Sequence, residues 1–378
     1  MHRIAHPFVL LVLLALIVPA AARAAGPPGV EVCDVPPRYG VDATAAAIVR
    51  TACQEHRLWL RPFIETDGRL VSLGVTEAER ARLFDEVTPA WQRVAQYWRE
   101  SGTLSSMGST PGATSCMYPG GGREVDNDCR AFLIDNPWSA AFISWVMVRA
   151  PLYGFGASPR HLDYIARAWR DPAGSPYQFA DPFTGKPAPG DMLCFLRASD
   201  HGVGPAGLRA ALSGQGRMPT RSHCEIVVGA NLGGDRTLYL IGGNVLNAVV
   251  MRKLPLDRSG RLVPQALGPA TMSAALPEGN DPAPDGSAPD NGSSPGSGQA
   301  ATGLRTSAAG DAMSAEDSAT PIVGAACRPG HADACSFNRR DWAVLLKLKP
   351  QAQLGGAMPT VTPSPTTAPT PTEPQQPR

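Results

Sequence analysis

The stretch DNPWSAAFISWVMVRA, residues 135–150, constrains this chain more than any other, because it reads as a helix with almost no wet side. A helix that is apolar around its circumference belongs at the centre of a packed domain, so the remaining chain must supply elements to cover it. Among its few polar side chains is Ser139, one turn inside the start of the run. A hydroxyl there lies near the unpaired N–H groups and positive dipole end of the helix. That place suits an acyl-transfer nucleophile, since the same N–H groups can stabilise an oxyanion. The competing role is steric: a small residue that lets another element approach closely.

A hydroxyl attacks only when a base takes its proton, so a positioned histidine must come from elsewhere in the chain. Five histidines lie beyond the first 25 residues: His56, His161, His201, His223 and His331. His223 opens the β-rich run HCEIVVGA and is the first candidate for the base. His161, in the first turn of a helix, is the second, with capping or core packing as its other role. Asn244, which ends YLIGGN, is placed to accept a ring N–H from His223, although Gly-Gly-Asn is also an ordinary turn sequence. Glu225 stands two residues past His223 and so shares its strand face, as a rival orienting group or base, or as a buried structural carboxylate.

The covering elements are legible from periodicity. VDATAAAIVRTACQEHRLW is a helix, and TEAERARLFDEV a second, with Thr76 and Glu79 spaced as a capping box. In TPAWQRVAQYWRE, Thr88 and Pro89 start a helix whose Trp91, Val94, Ala95 and Trp98 recur at i, i+3, i+4 and i+7. Residues 101–134, rich in Gly, Ser and Thr, read as a long loop. In SPRHLDYIARAWR, Ser158 and Pro159 cap a helix with a stripe of Leu162, Ile165, Ala166 and Trp169. From residue 187 the pattern shortens to PAPGDMLCFLR, SHCEIVVGA, RTLYLIGGN, NAVVMRKL and, far later, DWAVLLKLK. Helices first and strands afterwards predict an α+β domain around an antiparallel sheet.

The ends of the chain have another character. Residues 1–24 pair a short basic start with FVLLVLLALIV and small residues, the pattern of a cleavable signal peptide, with cleavage after Ala24 or Ala25. No cysteine sits where a lipoprotein anchor needs one, and no later apolar run reaches the roughly 18 to 20 residues of a membrane span. A periplasmic or secreted protein is therefore expected. Residues 25–41 are a Pro-rich lead-in, 42–274 the main domain, and 275–320 an insertion too poor in apolar residues to bury a core. Residues 321–349 bring the last strand, and 350–378 form a Pro/Thr-rich tail.

All eight cysteines lie beyond the signal, and an even count in an oxidising compartment favours disulfides. Neighbour pairing joins Cys33 to Cys53, Cys116 to Cys129 and Cys327 to Cys335, leaving Cys194 and Cys224 as a fourth pair. A zinc site at Cys327, Cys335 and His331 fits none of the usual ligand spacings, so neither metal nor cofactor is expected. The formal net charge of +1, with scattered basic residues, gives no footprint of nucleic-acid binding.

The order of these motifs resembles the papain-like amidases and peptidases of the NlpC and CHAP type, which act on bacterial cell walls. The likeness covers about residues 136–254. PWSAAF stands where those enzymes place Pro-Trp-Cys-x-x-Phe, Pro189-Gly190-Asp191 where a turn opens the first strand, and SHCEIVVG where a histidine begins the second. The resemblance implies Ser139 at the cysteine position, His223 as base and Asn244 as orienting residue; Trp138 and His161 are the candidate binding residues beside them. With its Trp-rich helical lead and SPRHLDYI, GDMLC and HCEIVV, the chain from about residue 42 to the last strand also looks like the bacterial domain of unknown function 2272.

The resemblance departs at the nucleophile. A thiol can be pre-ionised beside imidazolium and a helix N-terminus; a hydroxyl depends on base removal during attack. Two functions follow as expectations: a secreted hydrolase of amide bonds in peptidoglycan peptides, or an inactive papain-like domain that binds cell-wall peptide or an envelope protein.

Overall fold

The computed structural model describes residues 31–35, 40–77, 80–197, 203–219, 221–264 and 336–354. The expected signal peptide, the expected 275–320 insertion, the expected Cys327–Cys335 pair and the tail from residue 355 onward lie outside them.

Among the described residues, six α-helices and one sheet make up the fold. The helices are α1 (Ala43–Leu58), α2 (Ala90–Glu100), α3 (Arg123–Asp135), α4 (Ser139–Arg149), α5 (His161–Arg170) and α6 (Gly204–Leu212). The strands are β1 (Phe63–Ile64), β2 (Leu70–Ser72), β3 (Tyr177–Ala180), β4 (Met192–Leu196), β5 (Ser222–Ala230), β6 (Thr237–Val245), β7 (Ala248–Pro255) and β8 (Asp341–Leu348). They lie in the order β2-β1-β7-β6-β5-β4-β8-β3. The expected antiparallel sheet is in fact mixed, because the short β1 runs parallel to β7. β8 returns from beyond residue 335 to insert between β4 and β3.

The apolar helix takes the central place its composition demands. Residues 139–147 of α4 are all buried, and α4 packs against α1, α2, β5 and β6. Gly243 allows that approach: a Cβ on it would lie 2.5 Å from the Phe142 side chain. The two glycines before Asn244 therefore lie within β6 and face packed neighbours instead of forming a turn; Gly242 sits against Glu225 and His223.

Two readings of local structure need correction. The segment expected as a capping-box helix after Thr76 forms no helix among its described residues. Instead Asp85 accepts the N–H groups of Val87 and Thr88 and the Thr88 hydroxyl, at 3.0, 2.9 and 2.6 Å. A short acidic side chain that satisfies the backbone this way competes with helix. The expected loop 101–134 ends in α3, which opens after Gly122 with Glu124 and Asp126 in its first turn and buries Cys129, Phe132 and Leu133.

Three of the expected disulfides are present: Cys33–Cys53, Cys116–Cys129 and Cys194–Cys224. The last joins directly opposed residues of β4 and β5. Cross-links of this kind fit an extracellular or periplasmic protein. No single helix among the described residues is long and apolar enough to cross a membrane.

Candidate active site

Ser139 is the first residue of α4, not one turn inside it, with Trp138 as its N-cap and no side-chain cap. Its hydroxyl lies 2.7 Å from Nε2 of His161, the first residue of α5. The two helix starts are held together by Ser144, one turn further along α4. Its hydroxyl donates to the Ser158 carbonyl and accepts the Ser158 N–H, both at 3.0 Å. Ser158 Oγ in turn accepts the Arg160 N–H at 3.0 Å, just before α5 begins. Chain entry into α5 is thereby pinned to the helix that carries Ser139.

On its other side, Nδ1 of His161 is hydrogen-bonded to the hydroxyl of Tyr164. His161 and Tyr164 are three residues apart and so adjacent on the helix surface. For Nε2 to accept the serine proton, the ring must carry its N–H at Nδ1 and donate it to the Tyr164 oxygen. The imidazole favours the neutral form this requires: burial above all, with His223 and Arg197 nearby, drops its pKa well below the ordinary histidine value.

His223, on β5, meets this cluster through its ring, whose centroid is 5.2 Å from that of His161 and 5.1 Å from Phe195. Its Nε2 lies 3.5 Å from the carboxylate oxygen Oε1 of Glu225. Glu225 is held by Arg252 of β7: Nε reaches its two oxygens at 3.0 and 2.9 Å, and Nη2 lies 2.9 Å from Oε1. His223, Glu225 and Arg252 are all fully buried. The Arg252 fork extends to Asn338, whose Nδ2 donates to the carbonyls of Glu65 and Lys253 at 2.7 and 2.9 Å. This chain of bonds ties His223 to the far end of the sheet.

The expected residues thus gather unevenly. Ser139 and His161 are in direct contact, with His223 and Glu225 behind them. Asn244 adopts a left-handed backbone (φ 56°) where the β6–β7 pairing shifts register, and its Oδ1 accepts no hydrogen bond among the described residues. Trp138 is fully buried, stacked on Trp59 and Tyr97 with ring centroids 5.7 Å away in each case, so it presents no open surface to a ligand. Asp191 of the Pro-Gly-Asp turn is structural: it accepts the Leu348 and Ala188 N–H groups at 2.8 and 2.7 Å and pairs with Lys347, joining β4 to β8.

Three contributors escaped the sequence reading. Tyr164 sits in HLDYI at the i+3 position from His161, a spacing that could have found it. Arg252 is followed by Lys253 in an otherwise apolar strand, so alternation puts the two charges on opposite faces and the inward one needs a buried partner. Ser144 carries no signal, because its role depends on where α5 docks. Another buried acid, Glu77, lies beside Trp138; burial raises its pKa to about 8, so it is largely protonated at neutral pH. Among the described residues no group of three or more His, Cys, Asp or Glu is placed to hold a metal ion.

A family model described as "Uncharacterized protein conserved in bacteria (DUF2272)" matches residues 85–348. No curated protein and no solved structure matches the chain.

Proposed function

Starting from the chain's membership of this bacterial DUF2272 family, we propose that it is a serine hydrolase of amide bonds. The carrying observation is the 2.7 Å contact between the Ser139 hydroxyl and His161 Nε2 at the head of the central helix. Ser139 Oγ bonds to the substrate carbonyl carbon while its proton passes to His161 Nε2. The tetrahedral oxyanion takes hydrogen bonds from first-turn N–H groups of α4. His161 then returns the proton to the leaving amine as the C–N bond breaks, and water repeats the cycle on the acyl-serine.

His161 is the base in this reading and Tyr164 its orienting partner. His223 is a neighbour that, through Glu225 and Arg252, fixes the wall against which the His161 ring packs. The papain-like domain type and cell-wall peptide as substrate are supported by the motif order across residues 136–254. The three disulfides, consistent with an extracytoplasmic protein, support the same substrate.

The test is labelling by a serine-directed fluorophosphonate, followed by incubation with peptidoglycan. Adduct on Ser139, absent in Ser139→Ala, together with released peptide fragments, is the expected result. A second reading rests on burial: Ser139 is 1% and His161 0% exposed. In that reading the pair is a satisfied hydrogen bond inside an inactive papain-like binding domain. No adduct and no fragments from folded wild-type protein would establish it over the first.

A further inference from the structure

Apart from the Ser139 cluster, the start of α2 and the first turns of α3 border a surface cleft of about 410 Å³. Four arginines line it: Arg80 and Arg82 from the segment before α2, and Arg123 and Arg130 from α3. Trp91 and Asp126 also line it. Arg80, Arg82 and Arg123 are exposed, and none of the three forms an ion pair among the described residues. Among the described residues the only side-chain hydrogen bond of the three is from Arg82 Nη1 to the Val87 carbonyl at 2.7 Å. Asp126, the one carboxylate among the described lining residues, already accepts the Gly120 N–H at 2.6 Å.

Like charges that line one concavity, as the exposed Arg80, Arg82 and Arg123 do, disfavour one another. They also focus a positive field on whatever enters. The three arginines are exposed and stand outside the hydrophobic core. The arrangement is stabilised when an anion with several oxygens fills the cleft. Planar guanidinium forks pair two N–H donors with two oxygens of a phosphate. A phosphoryl group, carrying about −1.5 to −2 charges at neutral pH, neutralises more of this cleft than one carboxylate does.

We propose that this cleft binds a phosphate-bearing ligand, with Arg80, Arg82 and Arg123 around the phosphoryl oxygens and Trp91 as the wall beside them. The site stands independently of the chemistry at Ser139.

The test uses the mature protein with inorganic pyrophosphate and with vesicles containing phosphatidylglycerol, in salt of about 0.15 M, where loose surface attraction is largely screened. Citrate serves as the carboxylate control. Saturable binding is expected, weakened about tenfold or more in Arg80→Gln/Arg123→Gln, as loss of charge-assisted hydrogen bonds implies. Because both positions are exposed, the double variant should keep the wild-type thermal midpoint, which separates lost binding from lost fold. Pyrophosphate binding alone identifies a soluble phosphate ligand; vesicle binding lost in the variant identifies a phospholipid headgroup. Citrate binding as tight as pyrophosphate overturns the phosphate assignment. The proposal is also overturned by absence of binding in wild type, or by equal binding in the variant.

Discussion

Two buried polar clusters flank the Trp138 ring system, and they are built on opposite principles. In the first, Glu55 of α1 is gripped by Arg93 of α2 and accepts the Tyr97 hydroxyl, which itself accepts the Trp59 indole N–H at 2.9 Å. Every charge there has an opposite charge. Burial works against the Arg93 cation, yet its hydrogen bonds and charge interactions with Glu55 and Tyr97 together outweigh this and hold the proton more firmly than usual. In the second, Ser139, His161 and Tyr164 contain no formal charge at neutral pH, and burial drives the imidazole away from protonation. A locked ion pair fastens helices together; a neutral base beside a hydroxyl keeps the capacity to take a proton. Under the proposed function the difference separates a structural network from a chemical one, and the first keeps Arg93 half-buried while Ser139 and His161 are buried.

The contrast breaks most visibly in stability. Glu55→Ala strands the Arg93 charge and the Tyr97 hydroxyl, so chemical denaturation should show a loss of about 3 kcal/mol or more. Ser139→Ala, by comparison, should cost about 1 kcal/mol, the worth of one neutral hydrogen bond. A Ser139→Ala cost matching that of Glu55→Ala would place both clusters in the structural class.

The next largest effect divides the two histidines. His161→Gln should cut fluorophosphonate labelling of Ser139 by about a hundredfold or more, the scale of general-base catalysis. His223→Gln should lower it less, through looser packing of the His161 ring. The reverse order would return the base to His223.

The pH dependence follows from the sign of the shifts. His161 and His56 both have lowered folded-state values, His56 to about 4 and mainly through burial. Below about pH 6.5 the unfolded chain binds protons that the folded chain refuses, so stability falls as pH drops through that window. Glu77 acts oppositely: its folded value is raised to about 8, so its contribution is complete in acid and fades between about pH 4.5 and 8. Urea midpoints across this range should therefore peak near neutral pH, and Glu77→Gln should flatten the alkaline side. Labelling of Ser139 should persist below pH 6.5, because His161 stays neutral there. A labelling midpoint at the ordinary histidine value would contradict the buried, neutral base.

Tyr164→Phe is the mildest break. It removes the acceptor for the Nδ1 proton without emptying the space, so about tenfold slower labelling with a stability change near 1 kcal/mol is expected. An unchanged labelling rate would remove Tyr164 from the mechanism.

Much of this molecule was readable along the chain. The burial of residues 139–147 followed from their composition, and the Trp91, Val94, Ala95 and Trp98 stripe followed from helical spacing. The five β-rich runs became β4 to β8, and three cysteine pairs joined as neighbours. These features are local: periodicity, turn chemistry and short loop closure act within one or two elements. Residues 76–88 misled because Asp85 satisfies backbone donors that a helix would otherwise use, and α3 was obscured by the Gly- and Ser-rich residues preceding it.

The histidine that meets Ser139 was decided only in three dimensions. His161 and His223 both stand at the start of an element, and nothing in their neighbours says which element start faces α4. That choice depends on Ser144 bonding to Ser158, which rotates α5 until His161 Nε2 reaches the hydroxyl. It depends equally on the Arg252 fork, which occupies Glu225 on His223's own strand face. Sequence determined that a serine would head a buried central helix, because hydrophobic burial is a sum over local composition. Tertiary packing decided its partner, because a hydrogen bond of 2.7 Å depends on the relative pose of two helices that share no local signal.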